Sequence, residues 1–264
     1  MRRAHDGPPG AATLDHTVRA SLREPLLAFA AAIGLASALF WTGHAVPVVH
    51  RNLHALVAVV FFYVPVVAGR LARRPFDFHA AGLTLEPVGR GAAVLGVALA
   101  ITFPLFIAGF FAFYGAVCGD TAGLGGAGGL AGRVGAMCPG TWRGWAGGHL
   151  RLPPDFALLA LNQLVVIALP EELFFRGYLL GRLEERFPPH ARLAGAPVGV
   201  ALLLSAALFA LGHVLVDLNP QRLAVFFPAL VFGWMRSRSG ALAAGATYHA
   251  LCNLLSDVLH TSFF

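Results

Sequence analysis

The chain has 264 residues, of which 57% are hydrophobic and only 12% are charged. A soluble domain carries about 25% charged residues, so this chain has too little polar surface to cover a globule in water. The composition excludes an ordinary soluble protein and predicts an all-α fold, a polytopic transmembrane helix bundle of about seven spans. The formal net charge of +6 comes from arginines in short clusters between apolar segments, a pattern typical of membrane topology and not of a nucleic-acid groove.

The chain begins with a tail, residues 1–24, that contains four arginines and two prolines. It is long for the basic start of a signal peptide, and it contains proline. We therefore predict a cytoplasmic N-terminal tail that leads into an uncleaved first span.

Seven apolar segments follow, each near the ~20 residues that cross a bilayer as a helix. They lie at about 25–49, 53–69, 91–117, 156–180, 196–216, 223–235 and 240–259. If all seven cross, 13 arginines fall on the side of the N-terminus and five on the other, with Arg176 inside a span. The positive-inside rule then predicts a multi-pass protein of the cell inner (plasma) membrane with its N-terminus in the cytoplasm and its C-terminus outside.

A glycine-rich extramembrane loop separates the third and fourth spans, at 118–155. The run 119–129 contains too much glycine for regular structure and is predicted to be a flexible linker. Cys118 and Cys138 lie in this loop on the predicted outer side, where a disulfide would persist. Chance placement of the two cysteines explains the pattern equally well, so the sequence leaves the bond open.

Ionisable residues inside spans are costly and indicate function or pairing. In the fourth span, Glu172 and Arg176 are four residues apart, which predicts an ion pair on one helix face. Glu171 projects about 100° away and is free for another role, such as a general base in a desolvated setting. The alternative is that Glu171 reaches the membrane interface and has no chemical role.

Two further polar sites lie in the fifth and last spans. His213 is a single histidine in an apolar helix, a pattern that also fits a packed, hydrogen-bonded residue. His249 and Asn253 share one helix face and can both donate hydrogen bonds to an oxyanion, or clasp two helices together. Asp257 and His260 continue this stripe towards the end of the helix and are predicted to be interfacial.

The order Glu-Glu-x-x-x-Arg, Phe-x-x-x-His and His-x-x-x-Asn on successive hydrophobic segments resembles the CAAX protease and bacteriocin-processing (CPBP) family. These are glutamic-type intramembrane proteases, and the bacterial members are related to the CAAX prenyl endopeptidases. The resemblance covers about 156–259; the first three spans carry no motif of the family. The apolar segments predict three transmembrane helices in 25–117, and the resemblance implies that 156–264 forms the catalytic transmembrane core.

The resemblance also implies a role for each matching residue. Glu171 would activate the hydrolytic water together with His213, and Glu172 with Arg176 would hold the geometry of the site. His249 and Asn253 would stabilise the oxyanion. The expected catalytic residues are therefore Glu171, Glu172, Arg176, His213, His249 and Asn253.

Several alternatives stay open. We expect no cofactor, although two histidines and a glutamate can also bind zinc with one open position. The expected partners are the lipid bilayer and a membrane-anchored protein or peptide substrate, with no nucleic acid. Besides a peptidase, the fold could serve a non-catalytic immunity or scaffold protein, or a proton-coupled transporter that uses the same polar groups.

Overall fold

The computed structural model describes residues 21–119, 138 and 140–264. The predictions of a cytoplasmic tail and of a flexible glycine-rich linker fall mostly on residues 1–20 and 120–137, which lie outside the described residues.

Nine helices and one small hairpin make up the described structure. The helices are α1 (Arg23–Ala45), α2 (Pro47–Arg51), α3 (Leu53–Leu71), α4 (Val88–Cys118), α5 (Gly144–Gly147), α6 (Phe156–Arg186), α7 (Val200–Asp217), α8 (Phe226–Ser239) and α9 (Ala243–Phe263). Strands β1 (Ala191–Leu193) and β2 (Ala196–Val198) pair antiparallel between α6 and α7, with Ala191 opposite Val198. A 3₁₀ helix, Pro220–Val225, joins α7 to α8.

The architecture confirms the predicted all-α, polytopic bundle. Helices α1, α3, α4, α6 and α7 are long and apolar enough to cross a membrane. The last two predicted spans correspond to α8 and α9. Helix α8 has 14 residues, or about 21 Å of rise, which is shorter than a ~30 Å hydrocarbon core. Helix α9 has 21 residues, but the polar residues that the site uses lower its hydropathy.

Helix α6 is the centre of the bundle and contacts α3, α7, α8 and α9. Its middle turns, 173–180, are buried, and its aromatic side chains pack edge-on against those of α3 and α7. Two stretches of α6, Gln163–Ala168 and Leu173–Leu179, are π-helical. Such wide turns are rare and frequently occur at functional sites. Here they flank the Glu171–Glu172 pair on both sides.

Glycines allow the helices around α6 to approach closely. A Cβ atom on Gly212 of α7 would lie 2.8 Å from Cδ1 of Ile33 on α1. A Cβ atom on Gly233 of α8 would overlap the Leu202 side chain of α7. Small residues at such crossings are typical of packed helices in membranes. The Gly212 crossing matters most, because it sets the position of the next residue, His213.

The two ends of the bundle differ in their polar contacts. At the end where α1 begins, Glu24, Arg74, Arg182 and Glu185 form an ion-pair network; we call this the Glu24 end. At the opposite end, Cys118 is joined to Cys138 by a disulfide, which answers the question that the sequence left open. We call it the Cys118 end. The turn between α1 and α3 and the link between α7 and α8 also lie at the Cys118 end.

Candidate active site

The ion pair predicted from the sequence lies at the centre of the bundle. Arg176 donates from Nη1 to Oε1 of Glu172 at 2.9 Å, and each side chain is only 1% exposed. Arg176 also donates to the carbonyl of Ala229, and its guanidinium lies 4.3 Å from the ring centroid of Phe209. These contacts compensate a buried charge pair that would otherwise be costly. The predicted pairing of Glu172 with Arg176 is confirmed.

Glu172 also orients His249. The Nδ1 atom of His249 lies 3.2 Å from Oε1 of Glu172, and its ring stacks on Phe232 with centroids 4.6 Å apart. An ionised carboxylate only accepts hydrogen bonds, so Nδ1 carries the proton in this contact. The opposite ring nitrogen, Nε2, is thereby directed towards Glu171, at 3.9 Å from its Oε2 atom.

His213 is also oriented by a hydrogen bond at Nδ1, but its partner is a backbone carbonyl of its own helix, α7. Its Nδ1 atom lies 2.9 Å from the backbone carbonyl of Phe209, one turn earlier in α7. A carbonyl only accepts, so Nδ1–H donates and Nε2 is left with a lone pair in the neutral ring. That Nε2 atom lies 4.0 Å from Oε2 of Glu171.

Glu171 therefore faces two imidazoles at once. Its Oε2 atom is buried and has no hydrogen-bond partner among the described residues. Distances of 3.9 and 4.0 Å are too long for direct hydrogen bonds. They match the separation of two groups that a single water bridges with bonds of about 2.8 Å. The arrangement is that of a carboxylate and two ring nitrogens around one small polar position.

This position lies in a cavity of ≈520 Å³, within the size range of small-molecule sites. Glu171, His213, His249 and Asn253 all line it. Other lining residues, among them Phe40, Leu53, His54, Asp217 and Arg222, belong to the ends of helices at the Cys118 end. The cavity thus extends from the buried glutamates towards that end of the bundle.

Asn253 has a partner that the sequence analysis did not identify. Its Nδ2 atom donates to Oε1 of Gln163 at 2.8 Å, and Nε2 of Gln163 lies 3.4 Å from Oδ2 of Asp257. Both Gln163 and Asp257 line the cavity, whereas Asp257 was expected at the interface. The available signal was the adjacent pair of amides, Asn162 and Gln163, in an otherwise apolar stretch, with Gln163 eight residues before Glu171.

The structure thus brings five of the six predicted residues into one contact network: Glu171, Glu172, Arg176, His213 and His249. Asn253 lines the same cavity and contacts Gln163. Their catalytic roles stay predictions. Over the described ranges, no group of three or more His, Cys, Asp or Glu side chains has an arrangement suited to a metal ion. The expectation that no cofactor is used stays a prediction as well.

Comparison with protein-family models gives a match within the second half of the chain. Residues 153–255 match the family model described as type II CAAX prenyl endopeptidase Rce1-like. No curated protein and no solved structure matches the chain. The matched segment includes α6, α7, α8 and most of α9, and so all of the residues that meet around Glu171. Residues 153–255 form an Rce1-like domain of the CPBP family, with the fold of the CAAX-type intramembrane proteases.

Proposed function

We propose that this protein is an intramembrane endopeptidase that hydrolyses a peptide bond in, or near, the membrane-anchored segment of a protein substrate. The observation that carries the proposal is the position of Glu171. Its unpaired Oε2 atom lies 3.9 and 4.0 Å from the Nε2 atoms of His249 and His213, on a cavity in a buried helix bundle. A desolvated carboxylate beside imidazoles is suited to act as a general base.

In the proposed reaction, Glu171 takes a proton from a water molecule that His213 also binds. The resulting hydroxide attacks the carbonyl carbon of the scissile peptide and leaves a tetrahedral oxyanion. His249, protonated on both nitrogens and balanced by Glu172, donates to this oxyanion from Nε2, and Asn253 donates from Nδ2. When the C–N bond breaks, the amine takes the proton from Glu171, so the carboxylate is regenerated.

The two glutamates have different roles in this proposal. Glu172 does not contact the reacting atoms; it accepts from Arg176 and from Nδ1 of His249. It therefore fixes the ring of His249 and places a negative charge beside the imidazolium that the proposed oxyanion donor requires. Arg176 and Glu172 are positioning residues in this scheme, and Glu171 is the base.

The test compares two Glu→Gln variants of the same helix in liposomes. The probes are quenched-fluorescent single-span peptides that copy membrane anchors of proteins encoded in the same genome. Glu171→Gln should lower kcat at least 10³-fold, because the amide cannot accept the proton of water. Glu184→Gln is the matched control in α6 and lies outside the cavity lining.

Cleavage by Glu171→Gln at the wild-type rate would refute the assigned base. Failure of the wild type to cleave any peptide of the panel would instead favour a non-catalytic protein of the same fold. Both variants should keep the wild-type thermal midpoint, since neither substitution breaks a buried ion pair.

Metal dependence is tested on the wild-type protein with a strong chelator such as 1,10-phenanthroline. The water-based mechanism predicts unchanged kcat after the chelator is added and after it is removed. Loss of activity that added Zn²⁺ restores would replace this mechanism by a metal-assisted one, with Glu171 and the two histidines as the available donors.

We also propose that the cavity opens on the extracytoplasmic side and that the N-terminus lies in the cytoplasm of an inner-membrane protein. The arginine-rich side predicted by the positive-inside rule includes Arg74, Arg182 and Arg236 near the Glu24 end, whereas the cavity extends to the Cys118 end. Such an opening suits a membrane anchor of an exported or surface protein better than a prenylated cytoplasmic C-terminus.

Accessibility labelling separates the two orientations. In a Cys252→Ser background, Arg222→Cys marks the cavity end and Arg74→Cys marks the other; the native side chains are 50% and 48% exposed. An impermeant maleimide added to intact spheroplasts should label position 222 and spare position 74. The reverse pattern would place the cavity on the cytoplasmic side.

A further inference from the structure

Three polar side chains form a chain of hydrogen bonds along one wall of the cavity. Asn253 donates from Nδ2 to Oε1 of Gln163 at 2.8 Å, and Gln163 donates from Nε2 to Oδ2 of Asp257 at 3.4 Å. Asn253 and Asp257 are one turn apart on α9, and Gln163 lies opposite them at the start of the first π-helical stretch of α6. Gln163 is therefore the only link between the two residues in this chain of bonds.

The direction of these bonds follows from the chemistry of the end group. An ionised carboxylate accepts hydrogen bonds and cannot donate, so the NH₂ group of Gln163 must face Asp257. The carbonyl oxygen of Gln163 then faces Asn253, and an oxygen acceptor requires the NH₂ group of Asn253 in turn. Asp257 thus sets the orientation of an amide that it does not touch.

The orientation of Asn253 decides what it can do in the proposed reaction. With Nδ2 bound to Gln163 through one hydrogen, the second hydrogen of the same nitrogen is fixed in the amide plane and remains available. If the amide were flipped, a carbonyl oxygen would take the place of this nitrogen. A carbonyl repels an oxyanion, so the flipped form would oppose the reaction that the correct form favours.

We propose that Gln163, oriented by Asp257, is a positioning residue that keeps the Asn253 amide turned as a donor to the oxyanion. The proposal rests on the proposed peptidase function and adds two residues that lie outside the Glu-Glu-x-x-x-Arg, Phe-x-x-x-His and His-x-x-x-Asn motifs. It assigns no contact between Gln163 and the reacting atoms. Gln163 acts through Asn253 alone.

The first test is a double-mutant cycle on kcat, with the panel peptide that the wild type cleaves fastest. Gln163→Met keeps the length of the side chain, removes both hydrogen bonds and should lower kcat about tenfold or more, with KM unchanged. In an Asn253→Ala background, the same substitution should have no further effect on kcat, because the group that it positions is already absent. Thermal midpoints of all variants are measured in the same detergent.

The second test exchanges the amide of residue 163 and the carboxylate of residue 257, the two groups of one hydrogen bond, without changing the net charge. Gln163→Glu alone puts two carboxylates side by side and should lower kcat. Adding Asp257→Asn supplies an NH₂ donor to the new carboxylate, which can still accept from Asn253. The double variant should return kcat to within about threefold of the wild type.

The outcomes separate the inference from the proposed function. Equal losses from Gln163→Met with and without Asn253 would overturn the positioning role, as would an unchanged kcat in Gln163→Met. A double exchange that recovers the thermal midpoint but not kcat would also overturn it, since Gln163 would then serve only packing. The proposed function fails by a different result, namely full cleavage by Glu171→Gln.

Discussion

Two adjacent glutamates of the same helix occupy opposite environments. The side chain of Glu172 is 1% exposed and accepts from both Arg176 and His249. The side chain of Glu171 is 16% exposed and lines the cavity, where its Oε2 atom lies 4.0 and 3.9 Å from the Nε2 atoms of His213 and His249. In each glutamate the Oε2 atom is buried and has no hydrogen-bond partner among the described residues, so the difference lies in the ion pair and in the cavity. A rotation of about 100° per residue is enough to separate them. The comparison indicates that Oε1 of Glu172 is held by Arg176 and His249, whereas Glu171 has no ion pair with an arginine among the described residues and faces the cavity, as the proposed base requires.

The largest effect on stability is expected when one partner of the buried Glu172–Arg176 pair is removed. Arg176→Met leaves Glu172 charged and uncompensated in the core, which should lower the free energy of unfolding by about 3–5 kcal/mol. Activity should fall as well, because the same carboxylate holds His249. Thermal unfolding in detergent and the peptide assay measure the two effects. Arg186→Met at the end of the same helix, where the guanidinium lies over Phe187, is the control.

The double variant Glu172→Gln, Arg176→Met separates the two roles of the pair. Replacing both charges removes the uncompensated ion, so most of the stability should return. The activity should stay low, because the neutral amide that replaces the carboxylate no longer balances a protonated His249. Recovery of both properties would mean that the site does not need the negative charge of Glu172 beside His249, since the amide oxygen of Gln can still accept from Nδ1.

The sequence predicts the contacts of this site that lie within one helix, but not the distances between helices. The Glu172–Arg176 pair follows from a spacing of four in a helix, which any α-helix brings onto one face. The distance from Glu171 to His213 depends on how closely α7 packs, and therefore on glycines whose neighbours the sequence does not reveal. All-α fold class was predictable for a simpler reason, because backbone groups in lipid must pair within their own segment.

Gln163 shows why part of the site could not be predicted. In a regular α-helix, a residue eight positions before Glu171 lies about 80° away from it around the axis. The π-helical stretch between them accommodates one extra residue per wide turn, which reduces this angle to about 20° and turns Gln163 to the cavity. No spacing rule for α-helices identifies such a residue. The adjacent amides Asn162 and Gln163 in an otherwise apolar stretch were the available indication.

A smaller effect is expected when a larger side chain on α7 displaces His213 from Glu171. Gly212→Val places a side chain where even a Cβ would lie 2.8 Å from Cδ1 of Ile33. The overlap should cost about 1–3 kcal/mol and displace His213 from Glu171, so kcat should fall with the thermal midpoint. Gly96→Val in α4 is the control, because a Cβ there meets nothing within 4 Å.

A second substitution tests whether the overlap with Ile33 causes these losses. Ile33→Ala should make room for the new side chain and restore part of both losses in the Gly212→Val protein. If Gly96→Val is as damaging as Gly212→Val, the loss reflects the helix preference of valine and not the crossing of α1 and α7.

The smallest effect is expected for the same kind of ion pair at the surface. Arg74 donates to both carboxylate oxygens of Glu185, at 2.8 and 2.7 Å, but its side chain is 48% exposed. Water screens this pair, so a cycle of Arg74→Gln and Glu185→Gln should give a coupling of about 0.2–1 kcal/mol that decreases with salt. The geometry is as good as that of the Glu172–Arg176 pair, so burial is the main difference between them. A coupling at the Glu24 end as large as the loss in Arg176→Met, and insensitive to salt, would show that burial is not what distinguishes the two pairs.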